Sequence, residues 1–152
     1  MLNKRVVTAS CAALCFAIGG FAIGVSSASA QTMEGPKEGK GLRINVLGEV
    51  DLGPEIDGMA GRKLRYRYWW IEPGGIIPVH SHKDRPAIIY VVKGDIVEHR
   101  SDTTTPKVHK QGETTLESQG VLHWWENKGS VGVELIVSDI CKDKTSPMAG
   151  GC

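Results

Sequence analysis

The sequence GGIIPVHSHKDRPAIIYVVKG, residues 74–94, says most about the fold and the site of this chain. Its apolar residues come in two short runs, which are separated by His80, His82, three charged residues and Pro86. Short apolar runs between Pro, Gly and charged residues are typical of β-strands, whereas an amphipathic helix repeats its apolar residues about every three to four positions. The stretch therefore predicts two strands, 76–80 and 87–93.

The same pattern extends along most of the chain, and no helical apolar repeat is sustained anywhere after residue 41. Many short strands joined by turns predict an all-β sandwich or barrel. Residues 93–95 (KGD) and 127–130 (NKGS) have turn chemistry and predict two β-hairpins. The predicted strands are 43–50, 64–72, 76–80, 87–93, 96–100, 107–110, 113–116, 121–125 and 132–140.

The N-terminal residues 1–30 have the pattern of a cleaved export signal. Lys4 and Arg5 precede a long apolar stretch, and Ser26-Ser27-Ala28-Ser29-Ala30 supplies small residues for cleavage before Gln31. An uncleaved membrane anchor is the alternative, although three glycines and two hydroxyl residues interrupt the apolar stretch. We expect cleavage, a periplasmic or secreted location, and no stable membrane anchor afterwards.

The remaining chain divides into a flexible linker (31–41), a β-barrel domain (42–140) and a flexible C-terminal tail (141–152). Removing Lys4 and Arg5 from the 18 basic residues leaves 16 against 17 acidic ones, a formal charge of −1 with neutral histidines. This balance does not favour nucleic acid or an anionic membrane as a partner. Cys141 and Cys152 either pair in an oxidising compartment, stay free, or bridge two chains.

Three histidines are candidate metal ligands. His80 and His82 are two residues apart, so on a strand they share one face and lie close enough to bind one ion. Such a pair alone is more often solvated or hydrogen-bonded to neighbours. A third histidine, His123, follows Gly120 in another predicted strand, and barrel closure can bring it beside the first two.

Two motifs in these regions resemble those of the cupin superfamily. The run from Gly74 through His80 and His82 to Gly94 is similar to G-x5-H-x-H-x4-E-x6-G, and the run from Gly112 through His123 to Asn127 is similar to G-x5-P-x-G-x2-H-x3-N. The resemblance implies a double-stranded β-helix, or jelly-roll, barrel with a metal ion near one mouth. It carries over His80, His82 and His123 as metal ligands.

Two positions depart from the motifs. Ala87 stands where the first motif has its glutamate ligand, and Ser118 stands where the second has proline. Ala87 leaves three neutral imidazoles, so a divalent ion would keep its full charge and attract anionic or chelating ligands. Asp84 is a candidate replacement for the carboxylate, but Asp84 and Arg85 fit a solvated surface pair better.

The resemblance leaves several functions open. The first is a metal-dependent dioxygenase with three histidine ligands, acting on a small anionic or thiol compound; the ion is iron, copper, zinc, nickel or manganese. No catalytic acid or base stands out, and Tyr90, Glu98, His99 and Glu126 are nearby candidates of unknown direction. The alternatives are a non-catalytic module that binds a metal or small molecule, and a metal-free barrel whose histidines bind a ligand directly.

Residues 64–72 mix aromatic and charged residues on both faces of their strand. One face carries Arg65, Arg67 and Trp69, while the other carries Tyr66 and Tyr68. This pattern suits a barrel wall covered by a partner subunit, and cupins as a class often form homodimers. Alternatively, the arginines lie along the aromatic rings and face water.

Overall fold

In this computed structural model, the described part of the chain, residues 32–142, consists of eight β-strands and contains no helix. The predicted signal peptide and most of the predicted tail lie outside the described residues. Nothing within 32–142 has the helical length and apolar character needed to cross a membrane. The strands are β1 (Lys40–Asp51), β2 (Arg62–Ser81), β3 (Ala87–Lys93), β4 (Ile96–Arg100), β5 (Lys107–His109), β6 (Thr114–Glu117), β7 (Leu122–Glu126) and β8 (Val133–Lys142).

The strands pair antiparallel in the order β5-β4-β7-β2-β8-β3-β6, and β1 pairs with β2. Strands from both halves of this order contribute to one apolar core, which contains Ile96 of β4, Trp125 of β7, Trp69 of β2, Leu135 of β8 and Val91 of β3. A sheet whose two halves share one core must roll up around it. The predicted all-β class and barrel architecture are confirmed.

Alternation of buried and exposed side chains explains the strand faces. Along β3, the residues Ala87, Ile89 and Val91 are buried, while Ile88 and Tyr90 are 53% and 45% exposed. β8 follows the same two-residue period over ten residues. This period fixes which side chains point into the barrel, and it therefore decides which residues can meet there.

The predicted strands 64–72 and 76–80 are wrong as separate elements, because they form one continuous strand, β2, of 20 residues. The glycines between them do not end the strand but produce an irregularity in its pairing with β1, where Leu42 pairs with Ile71 and Lys40 pairs with Ile76. Gly74 has a φ of 70°, which a glycine adopts at no steric cost. The first half of β2 pairs with β8 and the second half pairs with β7.

Both predicted hairpins are also wrong. β3 and β4 flank the turn at Gly94, yet β3 pairs with β6 and β8, while β4 pairs with β5 and β7. β7 and β8 likewise both pair with β2 rather than with each other. The turn residues were identified correctly, but each turn carries the chain to another part of the sheet, as in a jelly roll.

The two ends of the described chain both contact the barrel. In the predicted linker, Pro36 accepts a hydrogen bond from the Val79 backbone N–H at 2.9 Å, and β1 begins at Lys40. At the other end, Cys141 is fully buried and disulfide-bonded, whereas Cys152 lies outside the described residues. The domain limits 42 and 140 stay predictions.

Candidate metal centre

The structure brings the three predicted histidines together. His80 of β2 and His123 of β7 are direct cross-strand partners, with ring centroids 4.4 Å apart. His82, one residue beyond the end of β2, lies 5.0 Å from His80 and 5.1 Å from His123 between ring centroids. His82 and His123 are buried and His80 is partly buried. The two-residue spacing and the pairing of β2 with β7 thus place three imidazoles around one point.

Glu117 is a fourth member of this cluster, and the sequence analysis missed it. One ligand atom from each of His80, His82, His123 and Glu117 lies within 4.8 Å of the others. A Glu117 carboxylate oxygen is 2.6 Å from His82 Nε2, and the other is 3.5 Å from His123 Nε2. The motif carried over three histidines and no carboxylate, and the structure places the carboxylate of Glu117 beside these histidines.

The position of Glu117 follows from strand pairing. Glu117 is the last residue of β6, and its direct cross-strand partner on β3 is Ala87. Directly opposed residues point to the same face of a sheet, and both of these side chains are buried. The carboxylate thus reaches the cluster from the strand beside the one that carries it in the cupin motif. Asp84, the replacement considered from sequence, is exposed.

Hydrogen bonds hold all three imidazoles in the same tautomer. His80 Nδ1 is 2.8 Å from the Pro78 carbonyl, and His82 Nδ1 is 2.8 Å from the Arg85 carbonyl. His123 Nδ1 is 2.7 Å from Glu98 Oε1. A carbonyl or carboxylate only accepts, so each Nδ1 carries the proton and donates it. In the neutral rings, every Nε2 then has a free lone pair.

These Nε2 atoms point at each other, which a bound cation would explain. His80 Nε2 and His82 Nε2 are 3.1 Å apart. Burial, and then the neighbouring His123, hold the pKa of His80 well below its usual value, so this ring is neutral at pH 7. Neutral imidazole nitrogens and a carboxylate are ligands that divalent transition metals accept.

Two buried atoms without a hydrogen-bond partner, His123 Nε2 and Glu117 Oε1, favour a metal ion over a proton between these side chains. A proton on His82 Nε2 would pair this ring with Glu117, but His123 Nε2 and Glu117 Oε1 would still lack a partner; both are buried without a hydrogen bond. Unpaired buried polar atoms cost free energy and are rare in native structures. One cation among the four residues would satisfy both atoms, so the residues present fit a metal ion.

Glu98 fixes the His123 ring by accepting a hydrogen bond from its Nδ1 atom, on the side of the ring away from Nε2. It is buried, and besides the His123 contact its second oxygen is 2.8 Å from His109 Nε2. Burial alone would raise the pKa of Glu98, but the hydrogen bonds from His109 and His123 hold it well below its usual value. Trp125 Nε1 also lies 3.2 Å from His123 Nδ1, but that nitrogen already carries the proton that it donates to the closer carboxylate. Glu98 is therefore an anionic acceptor that fixes the His123 ring.

The remaining candidates from the sequence lie elsewhere. His99 Nε2 donates to Glu126 Oε1 at 2.6 Å, and the His99 ring stacks on Trp124 with centroids 3.8 Å apart; neither His99 nor Glu126 belongs to the cluster. Tyr90 is exposed on the outer face of β3. Trp125, two residues after His123 on the same face of β7, is buried, whereas the half-buried Trp124 lies on the other face.

A small cavity of about 10 Å³ adjoins the cluster, which is room for about one water molecule. Arg67 and Arg85 line it together with His80, His82 and Glu117, and the rest of its wall is apolar: Trp69, Ile77, Ile89, Trp125, Leu135 and Val137.

The alternative in which the β2 arginines face water is wrong, because Arg65 and Arg67 are 1% and 2% exposed. Arg85, expected in a surface pair with Asp84, is buried too.

Comparison with known proteins agrees with this architecture. Residues 67–139 match the family model of the cupin domain. Germin-like protein 3-8 of Oryza sativa subsp. japonica is 29% identical over 121 residues, covering 78% of this chain and 44% of the rice protein. Together with the fold, these matches show that the chain belongs to the cupin superfamily.

Solved structures support the same fold. The cupin domain of Schizosaccharomyces pombe Cnp3 aligns with a TM-score of 0.53 at 15% identity, covering 68% of this chain and 66% of that chain. Recombinant oxalate oxidase in complex with glycolate aligns with a TM-score of 0.51 at 22% identity, covering 74% of this chain and 57% of that chain. The chain spans less than half the length of the curated relatives that it matches.

Proposed function

We propose that this cupin binds one divalent metal ion through His80, His82, His123 and Glu117 and acts on a small anionic compound. The observation that carries the proposal is the convergence of three Nε2 lone pairs on a carboxylate, with His123 Nε2 and Glu117 Oε1 otherwise unpartnered. The ion would polarise a bound oxygen group and offer open coordination positions to it. The chain's own residues would orient the ligands, exclude water and hold the substrate.

Each of these tasks has a structural basis. Pro78, Arg85 and Glu98 fix the three imidazole rings through their Nδ1 atoms. Trp69, Trp125 and Leu135 form part of the apolar cavity wall, so little water surrounds the cluster. In such surroundings the charges of Arg67 and Arg85 act strongly on a substrate anion.

We predicted a dioxygenase from the sequence because the ligand set carried over from the cupin motifs contained no carboxylate. Glu117 removes that reason, because its charge would leave one unit of positive charge on a divalent centre instead of two. The reaction class and the identity of the metal therefore stay predictions. Oxalate oxidase, which resembles this chain in fold, has been solved with glycolate, a small carboxylate, and this similarity supports a small anion as substrate.

A non-catalytic binding module is the second candidate. It is favoured by the ionisable groups that line the cavity, since His80, His82, Glu117, Arg67 and Arg85 all belong to the metal cluster or to ion pairs. None of these groups is left as an obvious general acid or base. Incubation of metal-loaded protein with a small carboxylate under air, followed by product analysis, separates the two candidates.

The metal content of the purified, reconstituted full chain tests the proposal. We expect about one metal ion per chain in the parent and in His99→Ala, whose histidine lies on the outer face, but far less in His80→Ala and His123→Ala. A parent without metal, or His80→Ala and His123→Ala variants that retain it, would refute the site.

Export and dimerisation stay predictions. A disulfide at Cys141 favours an oxidising compartment, as expected for a periplasmic or secreted protein.

The outer face of β2, β3 and β6 exposes Tyr66, Ile88 and Leu116, and a homodimer would cover such a surface. Size-exclusion chromatography with light scattering measures the oligomeric state.

A further inference from the structure

His109 is a buried histidine that the proposed metal site does not use. It is the last residue of β5 and is 1% exposed, yet it does not belong to the metal cluster. Its Nε2 atom lies 2.8 Å from Glu98 Oε2. Because an ionised carboxylate only accepts hydrogen bonds, His109 Nε2 carries a proton and donates it. The Nε2 atom of His109, unlike those of the three cluster histidines, therefore offers no lone pair to a metal ion.

The carboxylate of Glu98 connects His109 to the metal cluster. Its Oε2 atom accepts from His109, while its Oε1 atom accepts from His123 Nδ1 at 2.7 Å. Each carboxylate oxygen thus has an imidazole donor, and the Glu98 side chain is 1% exposed. A continuous row of hydrogen bonds leads from the edge strand β5 through β4 to the candidate metal ligand on β7.

The two oxygens of Glu98 differ in how much they depend on His109. Among residues 32–142, His109 is the one hydrogen-bond donor to Oε2, whereas Oε1 also accepts from Arg100 Nη1 at 3.2 Å. Without His109, Oε2 would be buried without a partner, which is unfavourable. The carboxylate would turn to relieve this loss, and Oε1 would then lose its alignment with His123.

Packing fixes the His109 ring in the position from which it donates. The ring stacks on Trp125, with centroids 4.8 Å apart and an angle of 26° between the planes. Trp125 is the direct cross-strand partner of Glu98, and His109 is the direct partner of Ile96 on the same strand, β4. A residue whose own side chain is held by packing can keep its partner in a precise orientation.

We propose that His109 is a positioning residue of the metal centre, which holds Glu98 so that Glu98 in turn holds the His123 ring with Nε2 toward the ion. The inference goes one residue beyond Glu98 and rests on the proposed metal site. Residues that hydrogen-bond to a ligating histidine fix its tautomer and orientation, and they change metal affinity about 10- to 100-fold. His109 acts through one more hydrogen bond, so we expect a smaller effect, about three- to tenfold.

Two substitutions of His109 separate its hydrogen bond from its packing. His109→Phe keeps a flat ring that can stack on Trp125 but removes the donor to Glu98. His109→Gln places an amide nitrogen near the position of Nε2 and so keeps the donor. With Co²⁺ as the probe, affinity should fall about three- to tenfold in His109→Phe and stay near the parent value in His109→Gln. Competition with a chromophoric chelator measures the affinity of the full chain.

The outer face of the barrel offers a matched control. His99 also pairs with a glutamate, Glu126, at 2.6 Å, and its ring also stacks on a tryptophan, Trp124, with centroids 3.8 Å apart. Neither member of this pair belongs to the metal cluster. His99→Phe should therefore bind Co²⁺ like the parent. Melting temperatures of the metal-free proteins verify that each variant is folded.

A double-mutant cycle distinguishes positioning through Glu98 from a general packing defect. Substitutions of residues that act through one hydrogen-bond network are not additive. In a Glu98→Gln background, His109→Phe should therefore cause little further loss of Co²⁺ affinity, whereas a packing defect would cause the same loss in both backgrounds. The visible absorption spectrum of bound Co²⁺ reports the geometry around the ion. It should change in His109→Phe and keep the parent form in His109→Gln.

The outcomes separate this inference from the proposed function. A parent that binds no Co²⁺ after reconstitution would refute the metal site and this inference with it. A parent that binds Co²⁺, together with a His109→Phe variant that binds it equally well, would overturn the role of His109 and leave the site intact. Equal losses in His109→Phe and His109→Gln, or additive effects in the cycle, would likewise overturn it. A loss confined to His109→Phe and absent in the Glu98→Gln background supports it.

Discussion

Ala87 on β3 and Glu117 on β6 are direct cross-strand partners, and both side chains point into the barrel. Ala87 occupies the position of the glutamate in the first cupin motif, and Glu117 supplies a carboxylate to the same histidine cluster. Cβ atoms of directly opposed residues are only about 5 Å apart, which a glutamate side chain can span. The carboxylate thus comes from β6 instead of from β3, where the cupin motif has it, and the cluster still contains three histidines and one glutamate.

This relationship predicts a rescue by exchange. Glu117→Ala should weaken metal binding strongly, since it removes the anionic ligand. The double variant Ala87→Glu/Glu117→Ala should restore most of the affinity, because the new glutamate enters the space that the old one leaves. Metal affinity is measured by competition with a chromophoric chelator. A double variant no better than Glu117→Ala would mean that the two positions are not equivalent.

Glu98 should affect metal binding without touching the ion. Glu98→Gln removes the charge behind His123 and should weaken metal affinity about 10- to 100-fold, as is typical for residues that orient a ligating histidine. The chain offers a matched control in Glu126→Gln, which changes the His99–Glu126 pair of 2.6 Å outside the cluster. Equal effects of the two substitutions on affinity would argue against a specific role of Glu98.

Metal removal should lower thermal stability. An ion that binds only the folded state, at free concentrations 100-fold above its Kd, stabilises by about 2.7 kcal/mol. For a domain of this size, Tm should then fall by roughly 10 °C when EDTA is added. His80→Ala should melt at the same temperature with and without EDTA. A parent whose Tm ignores both EDTA and added metal would contradict the site.

Asn127 should contribute to stability by holding the irregular part of β2. Its side-chain amide nitrogen lies within 3.1 Å of the carbonyl oxygens of Ile71, Glu72 and Val131. Its side-chain oxygen, Oδ1, accepts a hydrogen bond from the Gly129 N–H. Asn127→Ala should lower the free energy of unfolding by about 3 kcal/mol, because buried carbonyl groups lose their donor. Urea denaturation measures the change, and Asn45→Ala on the exposed side of β1 should have little effect.

Local patterns predicted the strands well but not their partners. β4 was predicted with the correct limits, and so was β3, because alternating apolar residues between Gly, Pro and charged residues determine a strand locally. The turn at Gly94 was recognised too, but turn chemistry does not state which strand the chain joins next. That choice depends on how the whole sheet closes around its core.

The candidate site was predicted in part for the same reason. His80 and His82 share a face by spacing alone, and the cupin motifs add His123. Glu117 was missed because the predicted strand ended at Leu116 and its pairing with Ala87 is a long-range contact. The buried arginines were missed because Arg is almost never fully buried unless it is paired, and Asp139 is far away in sequence.

The most direct measurement is a crystal structure of the metal-reconstituted protein with anomalous diffraction data at the absorption edge of the ion. The account predicts one anomalous peak per chain, bonded to the Nε2 atoms of His80, His82 and His123 and to the carboxylate of Glu117. A crystal of reconstituted protein with no peak at this cluster, or with a peak that Glu117 does not contact, would contradict it.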